Sequence, residues 1–114
     1  MVNQWDIYFC NLDPVIGSEQ RGSRPVLVMS KDAVNHAIPV STVLPFSSVK
    51  AEAKIYPSEV FLDKAQTGLD RDSVAMLHQI RTLSHERLTR RISHLRDEAA
   101  RAQIRQALRD YFEV

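Results

Sequence analysis

Between Trp5 and Cys10 the chain alternates in part, with Trp5, Ile7 and Phe9 on one side of an extended segment. That period-two pattern predicts a first strand with one buried face. From Asn11 to Arg24 the pattern stops: Pro14, Gly17 and Gly22 punctuate a polar stretch too rich in breakers for a helix, which predicts a long loop. Arg24-Pro25-Val26-Leu27-Val28-Met29-Ser30 places proline at the first position of an apolar run, where its missing N–H does least harm to a ladder, and predicts a second strand. Ser30 is a candidate cap for one helical turn over Lys31 to Val34, and Asn35 tolerates the left-handed conformation that would end it. Val40 to Leu44 is β-branched and bounded by Pro39 and Pro45; it predicts a third strand running out at Phe46-Ser47-Ser48. Residues 49 to 56 predict an exposed loop, Glu59 to Leu62 a fourth strand, Gly68 to Ser73 a polar turn, and Val74-Ala75-Met76-Leu77 through Arg81 a fifth strand. A short helical stretch is expected to begin near Ser84.

The period then changes. Ala100, Ile104, Ala107, Leu108, Tyr111 and Phe112 recur at the spacing of an amphipathic helix, with Arg101, Arg105 and Arg109 along another face. Asp97 and Glu98 stand where a helix N-terminus favours negative charge. Short, mostly antiparallel strands followed by one helix predict an α+β fold, mainly β: a small curved sheet or barrel with the C-terminal helix packed on it.

Composition narrows the class without naming a function. At 114 residues one domain, 1-114, is expected, and 44% hydrophobic with 25% charged residues disfavours disorder, collagen-like repeats and coiled coil. A single cysteine, Cys10, allows neither an internal disulfide nor a Cys-x-x-Cys knuckle, so a reducing cytoplasm is the expected setting. No export signal opens the sequence and no apolar run exceeds four residues, which predicts a protein without a membrane helix. Fifteen Lys+Arg against fourteen Asp+Glu leave a formal charge of +1, so bulk charge does not announce a nucleic-acid binder. The last third, from Arg81, nevertheless holds eight arginines against five acids.

The usual phosphate-loop, dinucleotide, zinc-protease and nucleophile-elbow patterns are absent. The histidines have no metal-ligand spacing, and Asp70-x-Asp72 lacks the rest of a calcium loop; neither metal nor cofactor is expected. The segment Leu12-Asp13-Pro14-Val15-Ile16-Gly17-Ser18-Glu19-Gln20-Arg21-Gly22-Ser23-Arg24-Pro25-Val26-Leu27-Val28-Met29-Ser30 resembles the signature of the MazF/PemK (Kid) toxins, ribonuclease halves of bacterial toxin–antitoxin pairs. The resemblance continues in register through Asn35, Pro45 to Ser48, Pro57 to Val60, Gly68-Leu69, His78 to Leu83 and Arg87-Leu88, spanning about residues 5 to 95.

This resemblance implies an SH3-like barrel of the PemK/CcdB type, a homodimer, a cognate antitoxin as partner, and metal-independent cleavage of single-stranded RNA at short sequences. The implied chemistry is attack of a ribose 2′-OH on the adjacent phosphorus, leaving a 2′,3′-cyclic phosphate and a 5′-hydroxyl. Such a reaction needs a proton acceptor at the 2′-OH, donors at the phosphoryl oxygens and a donor for the leaving oxygen.

Arg24 matches the family's catalytic arginine, and its planar fork of donors suits phosphate; a purely structural tie to a carboxylate such as Glu19 is the alternative. Ser47 matches a position usually held by threonine, keeping the hydroxyl but losing the methyl that restricts its rotamer. Ser48 beside it would take the role if the register shifts by one. Glu19 and Gln20 match loop positions that orient the loop and contact RNA. His78 stands where many members carry Asp or Glu, and imidazole, with an ordinary pKa near 6.5, can also move protons at neutral pH. Gln79 is assigned to RNA or loop contacts, and Lys50 and Lys54 to phosphates along a groove framed by loops 12 to 24 and 49 to 56. Two rivals share the fold: a protein-binding toxin that poisons gyrase, as the CcdB branch does, and a decayed RNA-binding module that no longer cleaves.

Overall fold

The computed structural model describes residues 1–114. β1, Asp6–Asn11, pairs antiparallel with β2, Ser23–Val28, setting Ile7 opposite Leu27 and Cys10 opposite Arg24. β2 is apolar on both sides because both of its faces are covered: Val26 and Val28 enter one buried cluster and Leu27 another. Its second neighbour is β3, Val40–Ser48, through the pairs Val26↔Pro45, Leu27↔Leu44 and Val28↔Val43. The far edge of β3 is divided. Val40 to Val43 pair with β6, Arg81–Ser84, whereas Phe46 to Ser48 pair with β5, Ser73–Met76. β4, Glu59–Leu62, extends the sheet beyond β5, and β7, Leu88–His94, lies on the outer edge of β1 with two register shifts. All seven strands pair antiparallel, in a curved sheet completed by the helix α3, Glu98–Phe112. The expected α+β, mainly β architecture holds.

Several local expectations are corrected. The fifth strand does not run from Val74 to Arg81: a 3₁₀ turn at Leu77–Gln79 divides it into β5 and β6. Near Ser84 only a 3₁₀ turn, His85–Arg87, forms, and residues 88 to 94 are β7 rather than helix because β1 offers them an unpaired edge. β3 runs out at Ser48 as expected, with Pro45 inside it. That proline stands in the interval on the far edge between the β6 and β5 ladders, where no partner faces the strand. The helical turn α1 spans Asp32–Asn35, one residue later than expected, and neither a Ser30 cap nor a left-handed Asn35 ends it. Ser30 instead accepts from the Thr42 N–H at 2.9 Å and donates to Asn35 Oδ1 at 2.5 Å, and buried Ser41 donates to the same oxygen at 2.7 Å. A further turn, α2, Lys64–Thr67, was missed although its Asp63 and Gln66 form a reciprocal capping box.

α3 begins where expected: the Asp97 carboxylate accepts from the Ala100 N–H at 2.8 Å. Ala100 and Ile104 are buried with Ile7, Leu27, Leu44 and Phe46 of the sheet. Tyr111 and Phe112, expected on that face, are 43% and 51% exposed and stack edge to face on each other instead. Arg101 and Arg105 lie over the buried Trp5 ring, 5.2 and 5.1 Å from its centroid. Trp5 adopts φ 73°, an uncommon conformation held by two backbone bonds, from its N–H to Val28 and from Leu95 to its carbonyl, both 2.8 Å.

Beside it Asp6, buried, closes the junction of β1, β7 and α3. One carboxylate oxygen accepts from His94 Nδ1 at 2.7 Å and Arg91 Nε at 3.2 Å, and the other from the Asn3 N–H at 3.0 Å. Arg101 Nη2 approaches His94 Nε2 at 3.1 Å; since guanidinium only donates, that nitrogen accepts and His94 carries its proton on Nδ1.

Because Ile104 is fully buried, Ile104→Ala is expected to lower unfolding free energy by about 2–5 kcal/mol. Asp97→Ala, which removes only the cap, is expected to cost about 1 kcal/mol. Urea denaturation followed by circular dichroism measures both.

Candidate active site

The loop between β1 and β2 is closed at its base and held at its tip. At the base, Leu12 N–H donates to Gly22 O at 3.0 Å and the Asp13 carboxylate accepts from the Gly22 N–H at 3.1 Å. Two arginines from beyond β5 grip the same segment: Arg81 Nη1 donates to Leu12 O at 3.4 Å, and Arg87 Nη1 to Asn11 O at 3.2 Å and to Asp13 O. Toward the tip, Glu19 accepts from the Ile16 N–H at 2.6 Å, so its carboxylate closes a turn of its own loop. Gly17 and Gly22 have φ of 58° and 81°, the left-handed region that a glycine enters without strain.

Arg24 emerges from the start of β2, half-buried. Its Nε donates to Arg21 O at 2.9 Å. With its carboxamide assigned oxygen-inward, the orientation that does not set donors against donors, Gln20 accepts from Arg24 Nη1 at 3.0 Å and Nη2 at 2.7 Å. Glu19, the proposed structural partner for Arg24, is engaged elsewhere. With five N–H groups on a guanidinium, these contacts leave donors for a phosphoryl oxygen.

Arg24 borders an open groove of about 570 Å³ that contains Ser48 and a floor of Phe9, Pro25 and Phe46. Its far wall is the turn Gly68 to Arg71 together with Arg90 and Ile92 of β7, not the loop 49 to 56 anticipated from sequence. Four guanidinium groups, of Arg21, Arg24, Arg71 and Arg90, border it against one carboxylate, Asp70. The roles of Arg71 and Arg90 were missed. Nothing in the polar turn signalled Arg71, but Arg90 and Ile92 share a face once residues 88 to 94 are recognised as a strand.

The two serines point differently. Phe46 and Ser48 line the groove, so Ser47, between them, turns to the other face of β3. The β2–β3 ladder ends at Val26↔Pro45, so Arg24 and Ser47 both lie beyond it, where the two strands part. His78, exposed, is not brought into the groove; with Ser18, Glu19, Gln79 and Arg81 it lines a second depression of about 340 Å³. Gln79 accepts from the Gln20 N–H at 2.8 Å and donates to Ser18 O at 3.2 Å. Lys50 and Lys54 stay on the exposed loop, outside both depressions, with Lys54 Nζ 5.3 Å from the Tyr56 ring centroid.

Residues 3–112 match the family model described as PemK-like, MazF-like toxin of type II toxin-antitoxin system. The chain belongs to this toxin family. The toxin is 45% identical over 98 residues to endoribonuclease EndoA of Bacillus subtilis (strain 168), covering 86% of this chain and 84% of that protein. It superposes on the MazF crystal structure from Deinococcus radiodurans with a TM-score of 0.82 at 25% identity, covering 99% of this chain and 97% of that one. A mycobacterial endoribonuclease solved in complex with its cognate antitoxin has the same fold, with a TM-score of 0.79 at 18% identity over 100% of this chain and 97% of that one. No helix of the toxin is long and apolar enough to cross a membrane.

Cys10, opposite Arg24 in the β1–β2 ladder, is fully buried, and burial pushes its thiol pKa up against the opposing pull of Arg81 and Arg87. A raised pKa means less thiolate at mildly alkaline pH. In the native toxin Cys10 is expected to escape iodoacetamide, and after unfolding to react fully, as read by intact mass; rapid labelling of the native protein would contradict a closed site base.

Proposed function

We propose that the chain is a sequence-selective endoribonuclease, the toxin half of a toxin–antitoxin module, that cleaves single-stranded RNA without a metal or other cofactor. The observation that carries this reading is Arg24, held by Gln20 and Arg21 O at the edge of a groove where guanidinium groups outnumber carboxylates four to one. Such a groove tracks a phosphodiester backbone, and the Phe9, Pro25 and Phe46 floor offers apolar surface to a base.

In the proposed reaction the 2′ oxygen bonds to phosphorus, its proton passes to an acceptor, and the P–O5′ bond breaks with the 5′ oxygen taking up a proton. Arg24 donates to the phosphoryl oxygens as their charge grows, and the Ser47 hydroxyl, at the family position of a threonine, supports it. Ser48 contacts RNA from the groove. His78 stands at the family position of a carboxylate and is the candidate proton acceptor by that likeness alone, since it lines the neighbouring depression rather than the groove. Glu19, Gln20 and Gln79 shape the loop against which RNA lies, and Lys50 and Lys54 supply outlying phosphate contacts. The toxin acts in the cytoplasm as a homodimer and is neutralised by a cognate antitoxin, a partner of the kind that the mycobacterial structure contains.

The deciding experiment incubates purified protein with mixed-sequence single-stranded RNA in EDTA, then maps cut sites and product termini. Discrete cuts ending in 2′,3′-cyclic phosphate and 5′-hydroxyl are expected, with the rate reduced by about 100-fold or more in Arg24→Ala. Intact RNA would favour a protein-binding toxin of the same fold, and RNA binding without products a decayed module. Ser47→Ala is expected to slow cleavage more than Ser48→Ala in the same assay. His78→Ala is expected to slow cleavage by about 100-fold; an unchanged rate removes His78 from the chemistry.

A further inference from the structure

The loop tip that carries Gln20 has little to hold it in place. It lies between Gly17 and Gly22, both at positive φ and both with open space where a Cβ would stand. Ile16, the large apolar side chain just before it, is 84% exposed and does not anchor it. The bonds from Glu19 to Ile16 and from Arg21 to Gly17 are internal to the loop. Besides the bond from Arg24 Nε to Arg21 O, the tie to the rest of the barrel is the Gln79 carboxamide, which bridges Ser18 O and the Gln20 N–H across about 60 residues of sequence. Gln79 is itself well fixed. It ends the 3₁₀ turn whose first residue, Leu77, is fully buried and donates to Ser58 O at 2.8 Å, while the Ile80 N–H closes the turn on Leu77 O at 3.1 Å.

We propose that Gln79 is a positioning residue for RNA cleavage: by fixing the Gln20 backbone it aims the Gln20 amide oxygen at Arg24, and so fixes the orientation of that guanidinium in the groove. The relay is three side chains long, Gln79 to Gln20 to Arg24. Both heteroatoms of Gln79 bond the loop, one to Ser18 O and one to the Gln20 N–H, which makes the loop its first partner. A displacement of about 1 Å in a catalytic group can cost about 100-fold in rate, and without Gln79 the glycine-flanked tip is free to move by that much. This inference rests on Arg24 acting on the scissile phosphate.

The test combines single-turnover cleavage, binding and NMR. For Gln79→Ala, with an unchanged circular dichroism spectrum, cleavage is expected to slow by about 100-fold. Affinity for an RNA carrying a 2′-deoxy nucleotide at the cleavage site is expected to stay within about twofold. Gln79→Met, of similar length but without polar atoms, behaves like alanine, and Gln79→Glu, which keeps an acceptor for the Gln20 N–H, recovers part of the rate. In the free protein the Arg24 Nε–Hε resonance shifts or broadens in Gln79→Ala. An unmoved resonance, or tight-binding loss with an unchanged rate, overturns the proposal and returns Gln79 to direct RNA contact. Full cleavage by Arg24→Ala would instead remove the catalytic reading of Arg24, while the resonance would still report whether Gln79 positions it.

Discussion

A strand edge can carry one ladder at a time, and β3 divides its far edge between two strands. From Val40 to Val43 it belongs with β6, and from Phe46 onward with β5. Over nearly the same residues its near edge releases β2 after Pro45. The start of β2 therefore runs on without β3 beside it, and the space opened between them is the groove. Arg24 borders that groove from β2, and Ser48 borders it from β3. Proline at position 45 suits this parting, because that stretch of the far edge has no neighbour for an N–H to serve.

Charge follows the same geometry. The chain is almost neutral in sum, yet the groove gathers arginines from the β1–β2 loop, the turn after α2 and the strand β7. Mobile ions damp exposed charges over about 8 Å at physiological salt, so what a nucleic acid meets is the local cluster rather than the net charge. The acids are spent elsewhere: Asp6 under His94 and Arg91, Asp13 and Glu19 on loop backbone, Asp63 and Asp97 on helix ends. Each of these carboxylates answers a structural need, which leaves Asp70 alone among the groove's guanidinium groups.

How much of this was legible in the sequence depended on how local the cause was. β1, β2, β4 and α3 were recognisable because alternation, proline placement and helical spacing are properties of the segments themselves. The division of residues 74 to 84 into two strands was not, since the break at Leu77–Gln79 follows from β3 needing two different partners. Residues 88 to 94 carry a short, arginine-rich pattern that becomes a strand only because the edge of β1 is vacant. At the site, the block from Gly17 to Pro25 pointed to Arg24 and its loop by family likeness. Register then separated Ser47 from Ser48, which composition could not do. The histidine at 78, expected to take part in proton transfer, lies outside the groove in the depression beside Ser18 and Glu19, and Arg71 and Arg90 became visible only through the way the chain closes on itself.

The first and last elements of the chain are latched together: Trp5, buried in its left-handed turn, is roofed by Arg101 and Arg105, while Ala100 and Ile104 fill the space beneath the sheet. A core that needs its hundredth residue cannot be completed by a nascent chain whose α3 is still inside the ribosome. Synthesis is vectorial, so the strands that frame Arg24 wait for residues about 80 positions further along before their hydrophobic face is covered.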